Sequence, residues 1–342
     1  SSDLTDLNWM AGSQYVYSFG KCIFMPADLT AGIEFNQDKL EDNMWGYHRT
    51  VDQKVNIGSA FFQNEWKNEH WGFLIGGRLD KHNLIDHVIF SPRANLRYNP
   101  TENINLRFSY SSGFRAPQAF DEDLHVENVG GNVAMVELAD NLKEERSQSL
   151  SASADIYHRF GAFQVNFLVE GFYTKLSDVF ALTDGEVVDG ILTRTRYNAP
   201  GARVMGLTLE GKMAYLTKFQ VQAGVTLQQS HYSEPHVWNK EAPAVKKMMR
   251  TPNTYGYFTA TYTPIKPLSI ALSGTYTGSM LVPHEPVPGF LEKPITVNTK
   301  DFFDIGLKAA YDFKLYKSMN LQVNAGVQNI FNAYQNDFDK GA

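Results

Sequence analysis

Apolar and polar residues alternate along this chain with a period of two, over unusually long runs. Residues 102–111 place Ile104, Leu106, Phe108 and Tyr110 on one face, and Asn103, Asn105, Arg107 and Ser109 on the other. In 161–174 the apolar face carries Phe163, Val165, Phe167, Val169 and Tyr173, opposed by Gln164, Asn166 and Glu170. In 318–328 it carries Met319, Leu321, Val323, Ala325 and Val327. The same alternation marks 88–98, 204–215, 219–228, 268–277 and 303–313, and helical spacing fits none of these runs. Globular strands cluster near about five or six residues, whereas a tilted strand crossing a bilayer needs roughly 9 to 11. These runs have the second length.

The pattern predicts strands near 13–24, 28–36, 53–66, 70–81, 87–98, 102–113 and 146–158. Seven more follow near 162–176, 201–215, 218–229, 253–263, 267–279, 300–313 and 318–329. Short turns at 66–70, 98–102, 158–162, 215–218, 263–267 and 313–318 alternate with long connections at 37–52, 113–145, 177–200, 230–252 and 280–299. A further short turn is expected at 25–28 and a medium connection at 82–87. Strict alternation implies up-and-down antiparallel strands with one plain rim and one elaborated rim, as in outer-membrane barrels. On the apolar face, Trp71, Tyr98, Phe163, Tyr215, Phe219, Tyr262 and Phe313 stand nearest the short turns. Tyr110, Tyr173, Tyr276 and Phe303 stand nearest the long loops, so two aromatic girdles are expected. The fold expected is an all-β, antiparallel transmembrane β-barrel. By the same count the last strand runs outward, so 330–342 is an unfinished loop and a closing strand is expected beyond it. The chain therefore reads as an internal fragment.

Composition changes this picture little. The hydrophobic fraction of 43% and mean hydropathy of −0.32 would suit a soluble protein, but barrel strands dilute each apolar residue with a polar one. A net charge of −6 gives no reason to expect nucleic acid. The single cysteine, Cys22, excludes an intrachain disulfide and reads as a small strand residue. Residues 1–6 show neither the basic nor the apolar region of a signal peptide.

Four segments then resemble, in order, those of TonB-dependent receptors, in the style of the Bacteroidetes. They are Gly77-Arg78-Leu79-Asp80, Ser109-Tyr110-Ser111-Ser112-Gly113-Phe114-Arg115-Ala116-Pro117, Asn141-Leu142-Lys143-Glu144-Glu145 and Asn329-Ile330-Phe331-Asn332. The third departs from the commoner Asn-Pro-x-Leu-Lys-Pro-Glu of the family. The resemblance implies that 1–342 is part of a barrel domain with about 14 of about 22 strands. The plug domain, the TonB-box and the last strand would lie outside it. It also implies TonB-coupled uptake of a scarce, bulky nutrient: a ferric siderophore, haem or cobalamin. Partners implied are outer-membrane lipid, TonB, the nutrient and a surface lipoprotein, with no permanently bound cofactor. A passive porin and an outer-membrane enzyme are the alternatives, though no nucleophile–base arrangement stands out.

Candidate ligand contacts lie in the long loops. His125 falls in the interval where the resemblance implies a haem ligand, against an ordinary loop histidine. Asp121, Glu122 and Asp123 offer oxygens to Ca²⁺ or form a solvated charge run. His231, Tyr232, His236, Trp238, Met248 and Met249 suit a flat aromatic ligand or pack on neighbouring loops. Arg93, Arg97 and Arg107, on the polar faces of adjacent strands, would line the lumen, where they pair with plug carboxylates or simply wet the wall.

Overall fold

The computed structural model describes residues 2–45, 49–117, 127–129, 132–188, 191–284, 286, 289 and 291–334. Strands β1 (Ser2–Cys22), β2 (Met25–Met44), β3 (Arg49–Lys67), β4 (Trp71–His82), β5 (Ile89–Thr101) and β6 (Ile104–Arg115) follow one another in sequence and in space. After β7 (Glu127–Val129) and β8 (Asn132–Leu138), the wall resumes with β9 (Glu145–Phe160) and β10 (Phe163–Ser177). A second excursion, β11 (Val179–Val188) and β12 (Ile191–Ala199), precedes β13 (Ala202–Tyr215) and β14 (Phe219–His236). Short β15 (Val245–Lys247) leads to β16 (Thr254–Ile265) and β17 (Leu268–Thr277). The hairpin β18 (Leu281–His284) and β19 (Ile295–Asn298) leads to β20 (Phe302–Tyr316) and β21 (Met319–Val327).

Fourteen of these strands form one wall in chain order, and β15 joins it by pairing with β14. All pairs within the wall are antiparallel. The fourteen expected strands are thus present, but the connections need correcting. The expected loop at 230–252 begins as strand, since β14 runs to His236 and β15 follows, and 280–299 holds the β18–β19 hairpin. The first short turn is at Ile23 and Phe24, not at 25–28, and Ile23 takes the left-handed conformation at φ 64°. The expected long connection at 37–52 is mostly strand, because β2 and β3 pair without a break from Ala27↔Trp66 to Met44↔Arg49. The backbone groups of that tall hairpin satisfy one another, so it needs no core to stand above the rim. The connections at 113–145 and 177–200 also hold strands, which form a separate four-stranded sheet in the order β11-β12-β8-β7. Its β8–β12 pair is parallel, so the antiparallel expectation holds for the wall and not for this sheet.

Register fixes the two faces. Phe167 stands opposite Ile156 and Gly211, while its neighbour Asn166 stands opposite Tyr157 and Lys212. The apolar face is exposed, with Phe62, Phe108, Phe167 and Leu227 among its open side chains. Aromatics gather where the alternation placed them. Trp71 and Tyr98 stack with centroids 4.2 Å apart, and Phe163 and Tyr215 lie 4.6 Å apart, beside the short turns. Tyr276 and Phe303 lie 6.5 Å apart at the other rim.

On the polar face, the Tyr257 ring lies over Gly224, where an added Cβ would come within 2.7 Å of it. Gly211, on the apolar face, has open space at the same position. Gly224→Val is therefore expected to destabilise the wall by about 1–3 kcal/mol, and Gly211→Val by much less. The heat-induced gel-mobility transition of the two variants measures the difference; equal shifts would contradict this packing.

Candidate functional site: the polar wall and its loop collar

On the upper polar face, Arg78 organises a network between β2, β3 and β4. Its Nη2 donates to Glu34 Oε1 at 2.8 Å and to Ser59 Oγ at 2.7 Å, and its Nε donates to Asp80 Oδ1 at 2.8 Å. The Ser59 hydroxyl donates to Asp80 at 2.6 Å, and both residues are buried. The charge of Arg78 is thus consumed in holding three strands together. Lower down, Tyr257 donates to Glu210, Gln222 donates to Tyr257 at 2.7 Å, and Lys212 pairs with Glu210 at 2.7 Å.

Arg93, Arg97 and Arg107 share this polar face, as the alternation requires, but they are not equivalent. Arg97 stands directly opposite Arg107. Its Nη2 donates to the carbonyls of Asn68 at 3.0 Å and Trp71 at 3.3 Å, bracing the 68–70 turn. Arg93 lines a hollow of about 540 Å³ with Glu34, Arg78, Ser91 and Ser111. Arg107 has no ion-pair partner among the described residues.

At the elaborated rim the small sheet is clasped to the wall. Glu144, buried, accepts from Arg146 Nε at 2.9 Å and Nη2 at 2.7 Å, with His87 Nε2 at 3.1 Å. The Glu145 carboxylate accepts from the Phe180 amide at 2.9 Å. The Phe180 ring lies 5.0 Å from the Arg115 guanidinium and 5.9 Å from that of Arg196. Asn198 accepts from the Lys143 amide at 2.7 Å and donates to the carbonyls of Lys143 and Asp178. Ala116 packs with Ile85, Ile89 and Phe114, and Pro117 is buried beside them. Phe114, Arg115, Ala116 and Pro117, together with 141–145, are therefore collar anchors. Asn329, just past the outward end of β21, fixes its own turn: at φ 49° it exchanges two 2.7 Å bonds with the backbone of Ala333.

The loop candidates divide. Tyr232 and His236 meet with ring centroids 4.8 Å apart, both part-buried at the top of β14. Burial pushes the Tyr232 hydroxyl up and the His236 imidazole down, so both are neutral at pH 7. Trp238 follows, its Nε1 without a partner among the described residues. His231 is separated from them: it points from the opposite side of β14, across from Arg203. His125, Asp121, Glu122 and Asp123 lie outside the described residues. Among the described residues no group of three or more acidic, histidine or cysteine side chains could hold a metal. Sequence reasoning missed the clasp, whose signal is slight: Glu144 and Arg146 are spaced to share a strand face, but His87 is remote in sequence.

A family model described as the β-barrel of TonB-dependent receptor-like proteins matches residues 2–330. The chain belongs to that family. No curated protein matches it. Among solved structures, the siderophore receptor PirA of Pseudomonas aeruginosa is similar at 18% identity and a TM-score of 0.69, over 96% of this chain and 54% of that one. The ferric-catecholate import receptor Fiu of E. coli K12 gives 13% and 0.69, over 96% and 51%. A mutant of the ferric enterobactin receptor PfeA of Pseudomonas aeruginosa gives 19% and 0.68, over 96% and 48%. At such identities the likeness shows the fold: an antiparallel barrel wall of the TonB-dependent receptor type. The chain spans about half the length of these receptors.

Burial alone would raise the Glu144 carboxyl, but bonds from Arg146, the backbone and His87 outweigh it and leave it below its ordinary value of 4.5. A carboxylate depressed on folding stabilises above its unfolded pKa and ceases to do so as pH falls through its folded pKa. The collar of this TonB-dependent receptor barrel should therefore loosen in acid below pH 4.5, and Glu144→Gln should loosen it at neutral pH by about 1–3 kcal/mol. Mobility of a nitroxide at Asp140→Cys reads this directly. An unchanged spectrum in both cases would refute the clasp.

Proposed function

We propose that this chain is the wall and loop collar of an outer-membrane receptor for TonB-coupled uptake of a scarce iron chelate, a ferric catecholate being the first candidate. One observation carries the reading: a polar wall is crowned on one rim by loops clasped into a single sheet. That construction suits capture of a bulky solute at the mouth better than free diffusion, for which a passive porin would serve. Family membership supports it, and so do the siderophore, ferric enterobactin and ferric-catecholate receptors among the structural neighbours. The ligand would meet Tyr232, His236 and Trp238 at the rim, with His125 as an added haem ligand if the cargo is haem. Arg93 and Arg107 would face acidic groups of a plug through which TonB acts. The apolar face would meet outer-membrane lipid, and a surface lipoprotein would assist capture. No chemical step is involved.

The direct test expresses the full-length protein in cells lacking their own catecholate receptors and follows radiolabelled iron. Uptake should require TonB, and Tyr232→Ala with Trp238→Ala should reduce it roughly tenfold, the loss of about 1.4 kcal/mol of binding. Uptake that persists without TonB would mean a passive channel. A Soret shift on adding haem, abolished by His125→Ala, would replace the catecholate with haem.

Membrane placement has its own test. Phe167→Arg puts a charge on the outward face near mid-strand, where the cost is about 2–4 kcal/mol. Asn166→Arg should cost less, since it faces the lumen. Equal loss of heat-resistant folded protein on gels would invert the assignment of the faces.

A further inference from the structure

One imidazole at the rim is buried without a use in the clasp. His82 ends β4 two residues above Asp80, opposite Ile57, and is fully buried. Its Nδ1 accepts from the Leu84 amide at 3.0 Å, so Nδ1 carries no proton and the ring hydrogen is on Nε2. That Nε2 is itself buried and has no partner among the described residues. Burial holds the imidazole below its ordinary value of 6.5. A second proton would enter at Nδ1, break the bond to Leu84 and leave a buried charge with no bonded counter-ion.

Among the described residues, the charged groups around it are engaged elsewhere. Below it on the same face, Arg78 is bonded to Glu34 and Asp80. Asp38, one row higher on β2, accepts from Asn8. Lys81 donates to the carbonyls of Ile85 and Asp86, and Asp86 and His87 are exposed. Arg115, at the root of β6, lies over the Phe180 ring.

The hairpin connection that follows, 83–88, ties down both ends of the first collar excursion. Ile85 and Ile89 pack with Phe114 and Ala116, where β6 leaves the wall. His87 meets Glu144 at 3.1 Å and Arg146 at 3.2 Å, where β9 rejoins it. His82 closes the base of this connection. Its carbonyl accepts from Ile85 at 3.2 Å, and its ring holds Leu84.

We propose that His82 is an acid-sensitive latch, whose protonation opens the 83–88 connection and so frees the β6 and β9 roots of the collar. The open connection binds a proton that the closed one refuses. Closure is therefore favoured above pH 6.5 and weakens as pH falls below it. Glu144 acts only below pH 4.5, which leaves the interval above to the histidines. His87 is exposed, so water solvates its charge, and only His82 must leave its place to be protonated. At neutral pH the mouth is held together, and in mild acid the loops come loose from a wall that stays folded.

The test follows backbone hydrogen exchange in the full-length protein in detergent micelles, from neutral to mildly acid pH, corrected for the intrinsic exchange rate at each pH. Protection of the amides in 83–89 and 114–116 should fall about tenfold per pH unit below 6.5, the slope of one linked proton. Amides of β13 should keep theirs. His82→Asn, whose side-chain carbonyl can still accept from Leu84 but takes no proton, should flatten that slope. His87→Asn should leave it in place. Wild-type protection at 83–89 that does not change with pH overturns the latch, a result that needs no variant. An equal slope in His82→Asn, a slope abolished by His87→Asn, or a parallel loss in β13 overturns it too.

Discussion

A backbone amide or carbonyl left unpaired in hydrocarbon costs several kcal/mol, and no water is at hand to relieve it. Within the wall, each inner strand pairs with both neighbours, from β1–β2 through β20–β21, the ladders shifting register only beside short turns. Register follows from the ladder, and register decides which side chains share a face. The segregation of Phe167, Leu207 and Leu227 from Asn166, Thr208 and Gln228 is thus a consequence of backbone pairing, and one residue of slip would exchange the two sets. The Arg78 network on the polar face is built on the same registration.

Family motifs in this protein are joints. Phe114, Ala116 and Pro117 pack where β6 leaves the wall, and Glu144 and Glu145 bind where β9 rejoins it. Between these points the chain leaves the wall for β7 and β8, and the clasp fixes both ends of that excursion. In the proposed receptor, residues that meet the ligand would then lie on loops whose roots are set, which would separate the stability of the collar from its specificity.

The wall was legible in the sequence because a period of two, sustained over eight long runs, leaves few ways to be misread. The faces, the aromatic ends and the plain rim all followed from it. What escaped was whatever depends on partners distant along the chain. The tall β2–β3 hairpin looked like a loop, since Lys39, Glu41, Asp42 and Asp52 make its upper half too polar to read as strand. The clasp joins His87 to Glu144 and Glu145 to Phe180, pairs no local pattern announces. Tyr232 and His236, four residues apart on β14, meet in the structure, whereas His231 lies on the other side of the strand, as alternation requires.

The parallel pairing of β8 with β12 has a consequence for the order of assembly. Residues Val133 and Ile191 meet only after the chain has passed through β9, β10 and β11. A parallel partner so far along the sequence carries a large loop-closure entropy, unless the intervening hairpin is already zipped and shortens the path. The β9–β10 hairpin has a tight turn at Gly161 and needs no such help. On this ground the β9–β10 hairpin is expected to form before the β8–β12 pair, which would join two loops across a wall segment already zipped.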